Sequence, residues 1–384
     1  MTGRHILVVS IPAWGHTYPM LSGVAELAAR GHRVSWLATG AFEAAIGKAA
    51  EPVRYRSPME GVRADSRNVA EVMPLMLEEA RAAFQALAEF TRAEKPDLVV
   101  FDVMAWAGWA LAKKLGVPAI CSWPVFASNE HFSLNREYVT FDEQAMHAMF
   151  GQIGAFIEEA GLHDVSPQDF FESDAARNIV LFPREFQPYG ETFDARFTFV
   201  SPCIRESEHS ADADWLRAAK PLAAVSLGTI YTDNIEFYRT CLAAIDRLGW
   251  HGAVSLGGTV RPSDLGPVSD RVLLRDRLPM IDTLRHASAF LAQGGLSSTM
   301  EAIAHGVPLL IAPQMGEQRA VADRVAELGL GVMLPDSFTA DELADLLTTV
   351  TRDEKTARRL AEFRRGMLDG RGAGEFADAV ETEL

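Results

Sequence analysis

In His5-Ile-Leu-Val-Val-Ser10-Ile-Pro-Ala-Trp14-Gly-His16, the apolar residues Ile6 to Val9 run without a polar interruption and then give way to a loop. So short a run, rich in β-branched residues, suits a strand buried on both faces of a parallel sheet. Ile11–Pro19 reads as the loop. Met20–Arg30 follows with Leu21, Val24, Leu27 and Ala28 at helical spacing, and Gly31 stops it. Arg33-Val-Ser-Trp-Leu-Ala38 is the next strand. Strand, helix and strand within about 35 residues make a βαβ unit, hence parallel strands and a right-handed crossover.

The alternation continues outward from there. Leu75–Arg92 reads as a long amphipathic helix, Asp97–Asp102 as a strand, Trp106–Leu115 as a helix closed by Gly116, and Pro118–Ser122 as a strand. Residues 125–172 tend to helix and are rich in Phe, Met and His, as an insertion lining a cleft would be. Asn178–Phe182 and Phe197–Val200 read as the last strands of a first domain. Pro202–Pro221 then turns polar, with Glu206, Glu208, Asp212 and Asp214 close together, so residues 203–220 read as a linker. The alternation restarts with strands at Leu222–Leu227, Ala253–Leu256, Val272–Arg275, Ser288–Ala292 and Leu309–Ala312. Helices are expected at Ile235–Leu248, from Gly294-Gly295 through His305, and at Gln318–Leu328. The expected class is α/β: two doubly wound domains, residues 1–202 and 221–371, facing across a cleft.

The 384 residues fit two domains at roughly 100–200 residues each. Lys and Arg total 36 against 52 Asp and Glu, a formal net charge of −16. Such a surface repels nucleic acid and anionic lipid. The densest basic run, Lys355–Arg365, is interrupted by acids and reads as a solvated helix face, so no nucleic-acid partner is expected. Cys121, Cys203 and Cys241 are far apart and form no CxxC pair. That argues against a disulfide framework or a zinc site and for a reducing compartment. Met1–Ser10 is too short for a signal peptide, and no apolar run reaches the roughly 18 residues of a membrane span. A cytoplasmic protein with no membrane partner and no metal is expected.

Four constellations carry possible chemistry. His16, beside Gly15 at the carboxyl end of the first strand, is either a general base or an ordinary loop histidine. Asp102 ends a strand on the same sheet edge; it either orients His16 or caps the following helix. No serine or cysteine elbow accompanies the pair, which disfavours a covalent hydrolase. Gln293-Gly-Gly-Leu-Ser-Ser-Thr299 sits at a strand-to-helix junction, where glycines admit an anion to the backbone and the helix start binds phosphate. It is neither a Walker A loop nor GxGxxG, and its alternative reading is a glycine-rich packing turn. Ser226-Leu-Gly-Thr229 is a second such turn on the same sheet. In Pro313-Gln-Met-Gly-Glu-Gln318, Glu317 and Gln318 suit adjacent sugar hydroxyls, or an acid in a helix's first turn.

Taken in order, Trp14-Gly-His16, Ser226-Leu-Gly-Thr229, Gly294-Gly-Leu-Ser-Ser-Thr-Met-Glu301, Gly306-Val-Pro308 and Pro313-Gln-Met-Gly-Glu-Gln318 resemble the bacterial macrolide and natural-product glycosyltransferases. That family is glycosyltransferase family 1-like and has the two-domain GT-B fold. Phe182-Pro-Arg-Glu-Phe-Gln187, running on to Phe199-Val-Ser-Pro202, resembles the family's end of the first domain, and the likeness covers nearly the whole chain. It implies an inverting, metal-independent transfer of a sugar from a UDP- or dTDP-linked donor to a hydroxyl of a small hydrophobic natural product. The nucleotide sugar is a co-substrate, with no resident cofactor. His16 matches the family's base and Asp102 the acid that supports it. Thr229, Gly294, Gly295, Ser298 and Thr299 match phosphate contacts, Glu317 and Gln318 donor-sugar contacts, and Gly228 belongs to the same donor-binding set. Residues 372–384 match the terminal helix that packs back on the first domain. Trp14, Met59, Met76, Met104, Trp106, Phe126 and Phe132 are candidate acceptor lining, as are Met73, Phe84, Met146 and Phe150. Most of these are equally explained as core.

Three positions depart from the family pattern. Gln293 stands where a histidine usually contacts the diphosphate. Arg277, followed by Leu278, stands where a tryptophan usually stacks on the base, and Ser297 replaces an asparagine. All three fall in the donor half. Two rival readings follow: a non-catalytic glycosyltransferase-like partner protein, and a nucleotide-sugar epimerase of the same fold. His16 with Asp102 speaks against a pure partner, which needs no base. A monomer or homodimer is expected.

Overall fold

The first sheet is assembled from β1 (His5–Val9), β2 (Arg33–Ala38), β3 (Glu51–Arg54), β4 (Leu98–Asp102), β5 (Ala119–Trp123), β6 (Arg177–Val180) and β7 (Phe197–Phe199). Its order is β3-β2-β1-β4-β5-β6-β7, with every pairing parallel. The second sheet contains β8 (Leu222–Ser226), β9 (His251–Ser255), β10 (Val272–Arg275), β11 (Ala289–Ala292), β12 (Leu309–Ile311) and β13 (Gly331–Met333). Its order is β10-β9-β8-β11-β12-β13, again all parallel. These features come from a computed structural model that describes residues 3–60, 69–138, 143–172, 175–204, 211–367 and 371–384. The chain divides into two units, Met1–Ile204 with Gly370–Leu384, and Arg205–Asp369.

Both sheets follow the doubly wound rule. From the central strand the chain winds outward on one side, then returns to fill the other. The direction therefore reverses between β1 and β4 and again between β8 and β11. Outside the carboxyl ends of the strands at such a reversal, two loops diverge and leave a crevice. The central strands are buried end to end, Ile6 to Val9 in one sheet and Leu222 to Val225 in the other. This explains why they read as unbroken apolar runs.

The structure corrects several expectations. The first helix begins at Trp14 and runs to Ala29, so Trp14-Gly15-His16 is its first turn and not a loop. The expected loop Ile11–Pro19 is thus mostly helical, and Pro19 lies inside the helix, where its ring removes only one N–H, the donor for the Gly15 carbonyl. Gly15 is exposed, and water can serve that carbonyl. Strands β3 and β13 and the helix Met280–His286 are additional elements. β3, Glu51-Pro-Val-Arg54, lies at the sheet edge, where a proline costs no ladder bond. Part of the expected linker is a helix, Ala213–Ala218. Its Leu216 is fully buried with Ala219, Leu222 and Ala253, so this helix hides an apolar face, while residues 205–210, with Glu206 and Glu208, lie outside the described residues. Residues 125–172 contain the helices Leu134–Tyr138, Glu143–Ala160 and Pro167–Glu172.

The Phe182–Gln187 motif has a structural role. Gln187 is fully buried; its amide accepts from Ala127 N–H at 2.9 Å and donates to Ala127 O at 3.1 Å, as a neighbouring strand would. Arg184 donates to the carbonyls of Gly190, Phe193 and Phe197. The terminal helix Gly372–Glu381 packs on the first unit. Phe376 lies against Gly23, whose missing Cβ would otherwise stand 2.5 Å from the ring. Arg30 pairs with Asp378 and Glu381, His32 with Glu381, and Arg177 with Glu383. Among the described residues no helix is long and apolar enough to cross a membrane.

Candidate active site

His16 and Asp102 meet at the reversal point of the first sheet. β4 ends on Asp102, and the helix after β1 carries His16 in its first turn. His16 Nδ1 lies 2.8 Å from Asp102 Oδ2; the imidazole is largely covered and the carboxylate fully buried. The second carboxylate oxygen accepts from Met104 N–H at 2.9 Å. The Trp106–Leu115 helix is capped at Ala105 and not by Asp102, which removes the capping alternative. A carboxylate can only accept, so Nδ1 carries the ring proton and the lone pair resides on Nε2. The pair can therefore take a proton at Nε2 and hold the resulting imidazolium against a buried negative charge.

Around this pair the expected acceptor residues divide. Trp14 is partly exposed and stacks on Tyr18 and Phe42, with ring centroids 4.6 and 4.3 Å apart. Met59 and Met104 are also partly exposed. Phe126 and Phe132 are instead core residues, packed with Phe182 and Phe186. Trp106 is buried against Phe170 and Met76 is buried on its helix, as are Met73 and Phe84. These side chains pack as core. Phe150 is half-buried beside Phe171, and Met146 is exposed.

One polar group here escaped the sequence reading. Glu79 is buried on the helix Val69–Ala93 and accepts from the Tyr55 hydroxyl and the Ser57 hydroxyl. Burial, and then the Glu79 charge, push the Tyr55 phenol well above its usual range. Ser57 Oγ also accepts from Met59 N–H at 3.0 Å, so this buried acid fixes the loop that carries Met59. The amphipathic spacing of that helix shows which face is covered, but nothing in it marks one carboxylate as enclosed.

The reversal point of the second sheet is lined by the turns after β8 and β11. Gly228, at φ +76°, lies against the Gln293 amide; a Cβ there would be 2.1 Å from Gln293 Nε2. Gly294, at φ +95°, is buried against Ile311 and the Gln318 backbone, which explains it as a packing glycine. Gly295 caps the helix Leu296–Ala304, whose first N–H groups have no carbonyl behind them. Thr229 is exposed, Ser297 is partly exposed, and Ser298 Oγ donates to Gly295 O at 3.1 Å. Thr299 is fully buried, a core position, and its Oγ1 has no hydrogen-bond partner among the described residues. Glu317 and Gln318 occupy the first turn of the helix Gly316–Glu327 after β12. Glu317 is partly exposed, and Gln318 is buried with its Oε1 accepting from Gln314 N–H. Arg277 is exposed between β10 and the helix Met280–His286, while Leu278 packs on the small cluster around Leu216.

Two doubly wound units in one chain define the GT-B class, and solved structures match it over the full length. The calicheamicin glycosyltransferase CalG4 gives a TM-score of 0.84 at 32% identity, covering 100% of this chain and 99% of that one. The glycotransferase of kitacinnamycin gives 0.85 at 29% identity over the same shares. The chain is 34% identical to the NDP-glycosyltransferase YjiC of Bacillus licheniformis, over 100% of this chain and 98% of that protein. It is also 34% identical to the demethyllactenocin mycarosyltransferase of Streptomyces fradiae, over 99% of this chain and 86% of that protein. The family model "Erythromycin biosynthesis protein CIII-like, C-terminal domain" matches residues 253–381, and "Glycosyl transferase 4-like domain" matches residues 20–159. The chain belongs to the family of bacterial natural-product glycosyltransferases, and it is an enzyme of that kind.

Proposed function

We propose that the protein transfers a sugar, with inversion, from a UDP- or dTDP-sugar to a hydroxyl of a small hydrophobic natural product. The observation that carries this reading is His16 Nδ1 at 2.8 Å from a fully buried Asp102, at the reversal point of the first sheet. In the proposed step His16 Nε2 takes the acceptor hydroxyl's proton while the acceptor oxygen attacks the anomeric carbon. The bond from that carbon to the diphosphate oxygen breaks, its electron pair stays with the diphosphate, and a nucleoside diphosphate leaves. A single displacement inverts the anomeric centre. Asp102 stabilises the imidazolium.

The departing charge is met by the free N–H groups at the start of the Leu296–Ala304 helix and by the Gln293 amide. Glu317 and the amide nitrogen of Gln318 are assigned to the donor sugar's hydroxyls. The activity named for the Bacillus relative, an NDP-glycosyltransferase, supports a nucleoside-diphosphate donor. The Streptomyces relative, a mycarosyltransferase of demethyllactenocin, supports a natural-product acceptor.

Calorimetric titration tests the donor half. Gln293→Ala is expected to weaken UDP or dTDP binding by about 10–100-fold, the scale of one hydrogen bond to a charged group. The nucleoside without phosphate should bind unchanged. Glu317→Ala is expected to weaken the intact nucleotide sugar far more than the bare nucleoside diphosphate. Equal losses would move Glu317 to a phosphate or structural role. Parent protein that binds none of UDP, dTDP or GDP would sink the donor assignment altogether.

A further inference from the structure

A glutamine at position 293 raises a problem that a histidine would not. Its amide has two ends of nearly equal shape and opposite chemistry. The nitrogen end donates to a diphosphate, whereas the oxygen end repels it. Something must choose between them. Gln314 lies beside it, in the segment between β12 and the helix Gly316–Glu327.

The hydrogen bonds form a directed chain. Gln314 Nε2 donates to Tyr231 O at 2.9 Å and to Gln293 Oε1 at 3.3 Å. A backbone carbonyl only accepts, so the Gln314 atom beside Tyr231 O must be the amide nitrogen. The Gln293 atom facing that nitrogen must then be the oxygen. Gln293 Nε2 is turned the other way, into the angle between Gly228 and Gly295. Added Cβ atoms there would stand 2.1 and 3.7 Å from it. Reversing Gln314 would set its oxygen against the Tyr231 carbonyl. The present orientation leaves Gln314 Oε1 buried with no partner, so the amide is held by its nitrogen alone. The Gln314 backbone N–H also donates to Gln318 Oε1 at 2.8 Å, leaving that amide's nitrogen as its other face.

We infer that Gln314 is a positioning residue for the nucleotide site: it fixes the Gln293 amide with its N–H groups toward the donor's diphosphate. This rests on the reading of Gln293 as a diphosphate contact. Gln314 itself needs no contact with the ligand. The polarity originates in one backbone carbonyl, Tyr231 O, and passes through two amides to the site.

A double-mutant cycle separates this role from plain packing. Dissociation constants for UDP and dTDP are measured for the parent, Gln314→Met, Gln293→Ala and the double variant. Methionine keeps the volume and the backbone N–H, so Gln318 keeps its partner and only the side-chain donor is lost. Gln314→Met is expected to weaken binding by about 3–10-fold in the parent and by less than about 1.5-fold beside Gln293→Ala. Equal losses in both backgrounds, or no loss in the parent, would overturn the inference. If Gln293→Ala alone binds like the parent, the reading of Gln293 fails first, and the inference falls with it. Gln314→Glu gives a second cycle should the methionine variant not fold. Its carboxylate only accepts, so Gln293 must reverse, and the loss must be larger in the parent than beside Gln293→Ala. Equal losses in that cycle overturn the inference too.

Discussion

Replacing His16 by Ala is expected to lower turnover by about 10²–10⁴-fold, the usual contribution of a positioned general base, while nucleoside-diphosphate affinity stays at the parental value. The side chain sits on the first unit, and the proposed donor contacts all sit on the second. Removing it should therefore leave the donor site intact. His16→Gln is the sharper variant, because its amide can still donate to Asp102 yet cannot take a proton. The loss should also depend on the acceptor. A phenol that is partly ionised at the assay pH needs less help than an aliphatic alcohol, so the penalty should shrink as acceptor acidity rises. Steady-state rates over a graded acceptor series, beside calorimetry with the nucleoside diphosphate, make the comparison. Full rate in either variant with an alcohol acceptor would remove His16 from the chemistry.

The scaffold for this pair was legible because its signals are local. Ile6 to Val9 and Val99 to Phe101 are buried on both faces and read as unbroken apolar runs. Helix ends marked by Gly31 and Gly116 fall where the backbone takes a positive φ. What failed was either short or polar. β3 carries Pro52 and two charged residues, and β13 has only the span Gly331–Met333. Neither offers enough residues for a period to show. The stretch Ile11–Pro19 reads as a loop for a different reason: it lacks helical apolar spacing, yet the chain is helical from Trp14, and the one carbonyl that Pro19 orphans belongs to an exposed glycine.

The site was legible to the extent that strand order could be inferred. Residues 16 and 102 are far apart in sequence, and only the parallel pairing of β1 with β4 brings the end of β4 beside the first turn of the helix after β1. Burial was the hidden variable elsewhere. Phe126, Phe132 and Thr299 carry suitable chemistry at suitable spacing, yet each is enclosed. Side-chain direction around a helix start, or within an aromatic cluster, follows from tertiary packing that spacing does not encode. Gln314 shows the same limit from the other side. Its partners, the Tyr231 carbonyl and the Gln293 amide, come from two different loops.

Asp102→Asn should produce a loss comparable to that of His16→Ala, although it is isosteric and leaves the base in place. Both carboxylate oxygens are committed, one to His16 Nδ1 and one to the Met104 N–H. An amide has one acceptor. The Met104 N–H takes it, because the reverse orientation would set a donor against a donor in a fully buried position. The asparagine nitrogen then faces His16 Nδ1, which must accept. The ring proton moves to Nε2, the atom that should receive the acceptor's proton, and the negative charge behind the imidazolium is gone. A wrong tautomer of this kind costs up to about 10⁴-fold in a serine-protease triad, so a drop of about 10²–10⁴-fold is expected here. Thermal melting and nucleoside-diphosphate affinity should stay close to the parent, since a buried charge is removed and no volume is lost. The double variant His16→Ala/Asp102→Asn is the discriminating measurement. If Asp102 acts only through His16, the double variant turns over no more slowly than His16→Ala alone. Multiplying losses would mean that Asp102 serves the reaction by another route, and a single Asp102→Asn rate within about 3-fold of the parent would end its orienting role.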